Sequence, residues 1–416
     1  MKVFKFGGGS VKDASGVKNI ATILKHEGYE NTLIVVSAMG KMTNAFEKIV
    51  EAYCHEPENL KPAINFVETY HLAIVKELFQ DKNLGIRIEI ETLLSQLNGF
   101  LSANTSTDRN FIYDQIVGYG EMLSTKIISY YLNEKGFENS WIDIRNYIAT
   151  DSNYREASVD WEISQKQITS LDREKLYITQ GFIGRDNEGR TTTLGREGSD
   201  FSAAIFANCL NATKLIIWKD VPGLLNADPR YFEGAQLLEQ ISYREAIEMS
   251  NYGASVIHPK TVKPLEDKEI PLYVRSFLDF ESSGTIISKK PPRVPEIPCF
   301  IVKKFQLLIS ISTLNSSINT EQLLKDLFNR LHTCRLKINL IQNSEISVEV
   351  CIEDKFDTFQ EFLTELKVKY EVNSVKRVDL YTLMRPNLEA LLAIEQRGEV
   401  LLKQVTKETV QLIILE

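Results

Sequence analysis

Lys5 stands in a short apolar run directly ahead of three glycines and a serine, MKVFKFGGGSV. A buried strand gains nothing from an ammonium group, so lysine and glycines together point to a negatively charged ligand. Glycines remove Cβ atoms and let successive backbone N–H groups converge on phosphate oxygens, and a helix over residues 11–24 adds its positive dipole end. Because the lysine precedes the glycines, the stretch is neither GxxxxGK[ST] nor GxGxxG. A plain strand-to-helix turn is the competing reading.

Four further stretches set charge beside glycine. GYGEMLST puts Glu121 where a helix starts, and its plainest role is a first-turn carboxylate favoured by the dipole. TTTLGREGSDFSAA places Arg196, Gly198, Ser199 and Asp200 ahead of another helix. Serine or aspartate there is an ordinary cap, but an arginine between glycines can fork onto a carboxylate or phosphate. WKDVPGLLNADPR gathers Lys219, Asp220, Asp228 and Arg230 into one loop, too many charges for a simple turn. NYGASVIHPKTV adds His258, read as structural, and Lys260.

The elements that must position these groups alternate. NTLIVVSAMG reads as a buried parallel strand ending in a loop, AFEKIVEAYCHE and residues 62–100 as helix, and WIDIRNYIA and LYITQGFIG as strand. Such alternation predicts a mostly parallel sheet covered on both faces. Ligands sit beyond the carboxyl ends of strands in such sheets, where the glycine loop, VSAMG and WKDVPG all fall. Four prolines between Pro291 and Pro298 predict an extended linker over 291–300. It separates residues 1–290 from 301–416, a smaller α+β region with no obvious catalytic group and a closing hairpin in EVLLKQVTKETVQLIILE.

Composition narrows the class. A chain of 416 residues with a formal net charge of -8 is not built for broad nucleic-acid or anionic-membrane binding. Its five scattered cysteines, without CxxC spacing, read as reduced thiols. No apolar run is long enough to cross a bilayer and no signal peptide is evident, so a soluble cytoplasmic protein is expected.

The ordered set KFGGGS, VSAMGKMTN, GYGE, LGREGSD, KDVPGLLNADPR and YGASVIHPKT resembles the aspartokinases of the amino acid kinase family, with ACT-like regulatory sequence behind. The resemblance implies an αβα sandwich and ATP-dependent phosphorylation of the L-aspartate side-chain carboxylate to 4-phospho-L-aspartate, the first step towards lysine, threonine and methionine. It implies ATP and Mg2+ as cofactors, with no protein ligand directly assigned to the metal, and a homodimer through the ACT-like region, whose second unit looks incomplete. Carried over by position, Lys5 neutralises the transferring phosphoryl group and Asp200 orients it. Glu121 takes the substrate ammonium and Arg196 a carboxylate, while Ser37, Thr43 and Ser199 line the pocket. Gly7, Gly8, Gly9, Ser10, Lys219, Asp220, Gly223, Asp228 and Arg230 meet the nucleotide. The chemistry agrees: an aspartate carboxylate is already an anionic nucleophile at neutral pH, and what must be overcome is its repulsion from a polyphosphate. A catalytically impaired amino-acid sensor, or a kinase of another acidic substrate, are the alternatives.

The chain departs from the family pattern in places. Gly9 stands in a usual GGTS, and Lys219-Asp220 replaces Thr-Asp. Ser255 occupies the lysine position of an FGAKV-type motif, so Lys219 or Lys260 is expected to supply that cation. Asn339 stands where family members that bind lysine carry an aspartate, and TLNSSINTEQLL lacks a glycine, so weak feedback by lysine is expected.

Overall fold

The computed structural model describes residues 1–79, 84–254, 256–289, 291–313, 320–345 and 347–415. They form two compact units, Met1–Leu224, Leu237–Ile247 and Ser255–Pro295 in the first, and Leu225–Gln236, Glu248–Ala254 and Glu296–Glu416 in the second.

The chain begins with β1 (Lys2–Phe6), α1 (Ala14–Glu27), β2 (Thr32–Val36), α2 (Met42–His55), α3 (Pro57–Phe79), α4 (Leu84–Ala103), α5 (Arg109–Val117) and α6 (Tyr119–Glu134). It continues through β3 (Ser140–Ile142), α7 (Trp161–Ile168), β4 (Tyr177–Gln180), β5 (Ile183–Arg185), β6 (Thr191–Thr193), α8 (Gly198–Leu210) and β7 (Leu215–Lys219). Then come β8 (Gln240–Ser242), α9 (Tyr243–Tyr252), α10 (Pro259–Asp267), β9 (Leu272–Ser276) and β10 (Thr285–Ser288). Eight strands make one sheet in the order β3-β4-β2-β1-β7-β9-β10-β8, parallel except where β10 meets β9. Lys5 sits opposite Val35 of β2 and Ile217 of β7, so the ends of three neighbouring strands deliver Gly7, Ser37 and Lys219 to one edge. That is the αβα architecture expected of alternating elements, with the candidate loops on the predicted edge.

Apolar packing fixes the edge. Phe4, Phe6 and Trp218 are fully buried, and the Phe6 and Trp218 rings stack with centroids 6.2 Å apart. Burying each such ring contributes roughly 1.5–3 kcal/mol. Helix α8 is apolar nearly all round and is accordingly buried on most faces.

Two sequence expectations change in detail. WIDIRNYIA yields only the three-residue β3, because the Asp143 carboxylate accepts the Arg145 N–H and starts a 3-10 turn at Ile144–Asn146. The proline-rich stretch is extended but tied down: Val294 pairs with Gln240, and the Arg293 side chain is buried against Glu245 Oε1 at 3.1 Å.

The second unit holds β11 (Cys299–Thr313), α11 (Thr320–Thr333), β12 (Lys337–Asn343), β13 (Ser347–Glu353), α12 (Phe359–Leu366), β14 (Tyr370–Met384), α13 (Leu388–Glu395), β15 (Glu399–Val405) and β16 (Thr409–Leu415). Six strands form an antiparallel sheet, β12-β13-β11-β14-β16-β15, and the closing hairpin is β15–β16. Alternate residues Ile309, Ile311, Val348, Val350 and Ile352 take one face and pack with Leu323, Leu327 and Leu331 of α11 and Phe362 of α12. A separate cluster joins Ala390 and Ile394 of α13 to Tyr381, Leu383 and Leu412, and it includes Ala227 and Phe232 from the segment Leu225–Gln236.

Candidate active site

Asp200 lies in the first turn of α8, fully buried, and it holds two lysines at once. Lys5 Nζ is 2.6 Å from its Oδ1, and Lys219 Nζ is 3.0 Å from its Oδ2. The lysines come from neighbouring strands, β1 and the end of β7, so sheet pairing sets their separation. Lys219 also donates to the Val256 carbonyl. Burial pushes the Asp200 carboxyl up, but the two ammonium groups outweigh it and hold it below the usual carboxylate range.

These groups open into a cavity of about 260 Å³ lined by Lys5, Ser37, Thr43, Glu121, Phe182, Gly195, Glu197, Gly198, Ser199, Asp200 and Lys219. Helix α6 comes close to the loop after β2 because Gly120 has no side chain; a Cβ there would stand 3.1 Å from Ala38 Cβ. The approach lets the Ala38 N–H donate to Glu121 Oε1 at 3.4 Å, while Oε2 is buried without a partner. Burial raises the Glu121 carboxyl to about 8, with Lys5 offsetting only part of the shift. Gly181 serves the same end: a Cβ on it would come within 2.5 Å of Ser199 Cβ.

The glycine loop follows β1. Gly8 accepts the Gly40 N–H at 2.9 Å, and a Cβ on Gly8 would clash with the Ala38 and Gly40 carbonyls. Gly7 lies beside Lys5, while Asp220 Oδ2 is 3.6 Å from where a Gly9 Cβ would stand. Ser10 is buried and its hydroxyl donates to the Trp218 carbonyl. Helix α1 begins at Ala14, beyond the glycines, and Asp13 caps it through the Gly16 N–H.

A pattern for the amino acid kinase family matches residues 1–276. The chain belongs to the amino acid kinase family. Escherichia coli lysine-sensitive aspartokinase 3 is 33% identical over 355 residues, 84% of this chain and 78% of that protein. The Arabidopsis thaliana chloroplastic bifunctional aspartokinase/homoserine dehydrogenase 2 is 32% identical over 70% of this chain, which spans 32% of that longer protein. Among solved structures, E. coli aspartokinase III in complex with aspartate and ADP aligns over 100% of this chain and 96% of its own, with a TM-score of 0.83 and 29% identity.

Within this amino acid kinase, the cavity collects Lys5, Ser37, Thr43, Glu121, Ser199, Asp200 and Lys219 from the sequence-derived candidates. Arg196 sits between the lining residues Gly195 and Glu197, but its own side chain is exposed and does not line the cavity. Lys260 is exposed and pairs with Glu156 at 3.3 Å. Gly223 is buried with φ 153°, packed where a Cβ would strike Thr285 Oγ1. Asp228 and Arg230 belong to the second unit and clasp each other, Nη2 to Oδ2 at 2.6 Å. Ser255 lies outside the described residues. His258 caps α10 by accepting the Lys260 N–H, the structural role expected of it.

Two carboxylates escaped the sequence reading. Buried Asp114 accepts from the Thr193 N–H and hydroxyl, both at 2.8 Å, and so braces β6, which feeds the Gly195–Asp200 turn. Burial lifts its carboxyl to about 6. Glu197 lines the cavity itself. An acid inside a glycine-flanked strand-to-helix junction was the available signal for it.

Proposed function

We infer that the chain is an aspartate kinase, transferring the γ-phosphoryl group of ATP to the side-chain carboxylate of L-aspartate. The observation that carries the reading is Asp200 holding Lys5 and Lys219 at the rim of a cavity that also contains a buried, unpartnered Glu121 oxygen. A substrate carboxylate oxygen attacks the γ-phosphorus; that P–O bond forms, the bond to the β–γ bridging oxygen breaks, and its electron pair leaves with ADP. No general base is needed, because the nucleophile is already ionised. Lys5 and Lys219 supply positive charge where the transferring group develops negative charge, in place before the reaction. Glu121 receives the substrate ammonium, Ser37, Thr43 and Ser199 hydrogen-bond the carboxylates, and Arg196 closes onto one of them on binding. Lys219 supplies the second cation in preference to Lys260, which is engaged with Glu156 outside the cavity lining.

Gly7, Gly8 and Gly9 would carry the phosphates on backbone N–H groups, with Gly223, Asp228 and Arg230 as proposed nucleotide contacts and Ser10 fixing the loop. Among the described residues no group of three His, Cys, Asp or Glu side chains could hold a metal ion. The donor set fits Mg2+ arriving with ATP, since magnesium binds through one or two carboxylates plus substrate phosphates, and Asp220 is the carboxylate at the glycine loop. There it would neutralise charge shared by the β- and γ-phosphates.

A homodimer through an ACT-like carboxyl-terminal region, behind a linker over residues 291–300, completes the reading. No helix among the described residues is long and apolar enough to cross a membrane, and the five free cysteines suit a reducing cytoplasm. Asn339 is already engaged, accepting from Lys303 Nζ at 2.8 Å and donating to Gln306 Oε1 at 2.6 Å, which supports weak inhibition by lysine. The glycine-free stretch 314–319 lies outside the described residues. The deciding experiment incubates the full chain with ATP, Mg2+ and L-aspartate and traps the acyl phosphate with hydroxylamine. Aspartyl hydroxamate is the expected product; ATP turnover only with another acid would refute the substrate.

A further inference from the structure

Both cations of the cavity are spent on Asp200, yet two more carboxylates line it. Glu121 Oε2 and Glu197 Oε2 are each buried without a hydrogen-bond partner. Glu197 also has a backbone that its residue type disfavours, φ 54° and ψ 29°, the left-handed region suited to glycine. It stands before α8 without using its side chain as a cap. An acidic side chain that is backbone-strained, partly buried and unpaired costs the empty fold stability three times over. Strain of that kind persists at ligand sites, where binding supplies what the fold withholds.

The missing partner must donate hydrogen bonds and carry positive charge. The transferring phosphoryl group and the substrate carboxylates do neither. An ammonium does both, with three N–H donors that can serve more than one oxygen. Among the charged side chains near Glu197, Lys219 and Lys5 are already on Asp200, and Arg196 is exposed.

Building on the aspartate kinase reading, we propose that Glu197 is a second receiver of the substrate α-ammonium beside Glu121, and that it sets the preference for an amino acid over a dicarboxylic acid lacking the amine. Glu121 approaches from α6 and Glu197 from the turn before α8, so the amine is met from two separately anchored elements.

The test compares wild type with Glu197→Gln and Glu197→Gly, measuring kcat, KM for L-aspartate, KM for ATP and competitive inhibition by succinate. Glu197→Gln should raise KM for aspartate about tenfold, the scale of one charge-assisted hydrogen bond. KM for ATP should stay within about twofold, and the discrimination between aspartate and succinate should shrink by the same factor as aspartate binding weakens. Glu197→Gly should lose aspartate affinity likewise while melting no lower than wild type, because glycine adopts the left-handed backbone freely and removes the unpaired carboxylate. Unchanged aspartate KM in both variants overturns the proposal, as does a loss confined to kcat and KM for ATP, which would assign Glu197 to Lys219. If wild type phosphorylates a different amino acid, the substrate reading falls instead. The ratio of that acid to its deaminated analogue then tests Glu197 in the same way.

Discussion

Binding of L-aspartate should expel a proton from Glu121. Burial raises this carboxyl to about 8, and backbone hydrogen bonds and the Lys5 charge offset only part of the shift. At pH 7 about nine in ten molecules therefore carry Glu121 neutral, while pairing with an ammonium requires the carboxylate. Apparent aspartate affinity should strengthen about tenfold for each unit of pH from 6 towards 8 and then level off. Calorimetric titration in two buffers of different ionisation enthalpy counts the proton directly: close to one released at pH 7, and almost none above about pH 9. Glu121→Gln should bind aspartate weakly, with no buffer dependence and a flat profile, while ATP binding is little changed. The same carboxyl makes the empty protein less stable as pH rises between its ordinary range and about 8, because the folded chain holds a proton there that the unfolded chain has lost. Aspartate should flatten that decline. A wild-type titration at pH 7 that shows no proton release, or a pH profile shared with Glu121→Gln, would refute the ammonium role.

Three further outcomes are expected. Lys5→Ala should fold, since Asp200 keeps Lys219 at 3.0 Å, and should lose a factor of about 100 to 1,000 or more in kcat; near-normal turnover in a folded variant removes Lys5 from the mechanism. Lys219→Ala should lower kcat or raise KM for ATP while Lys260→Ala is silent in the same assay, and the reverse pattern would transfer the second cation to Lys260. Lysine titrated to millimolar concentration should inhibit only weakly; strong inhibition abolished by Asn339→Ala would show that Asn339 exchanges its Lys303 and Gln306 partners for the effector.

Much of the site was legible because its chemistry is local. A lysine before three glycines, or a serine and an aspartate at a helix start, marks a candidate within a few residues, and parallel pairing brings such candidates together by aligning the ends of β1, β2 and β7. What failed was non-local or conformational. WIDIRNYIA has strand composition, but one aspartate side chain bonding two residues ahead ends the strand. The mutual clasp of Asp228 and Arg230 left no mark in the loop's composition, which shows the charges but not their pairing. Glu197 stands in the open between glycines, but its left-handed backbone does not, since that conformation at a glutamate leaves no trace in residue type.

The second unit is assembled from three stretches of chain, and the polypeptide crosses between units five times, after Leu224, Gln236, Ile247, Ala254 and Pro295. The tail is therefore not a detachable cassette. A gene cut near residue 300 would leave Ala227 and Phe232 on the amino-terminal fragment, stripped of Tyr381, Leu383 and Ile394. The carboxyl-terminal fragment would keep an apolar face with its lid missing. Recombination between relatives at the proline-rich stretch inherits the same mismatch, so exchange of the carboxyl-terminal part must carry residues 225–236 and 248–254 along with the tail to keep both sides of that packing matched.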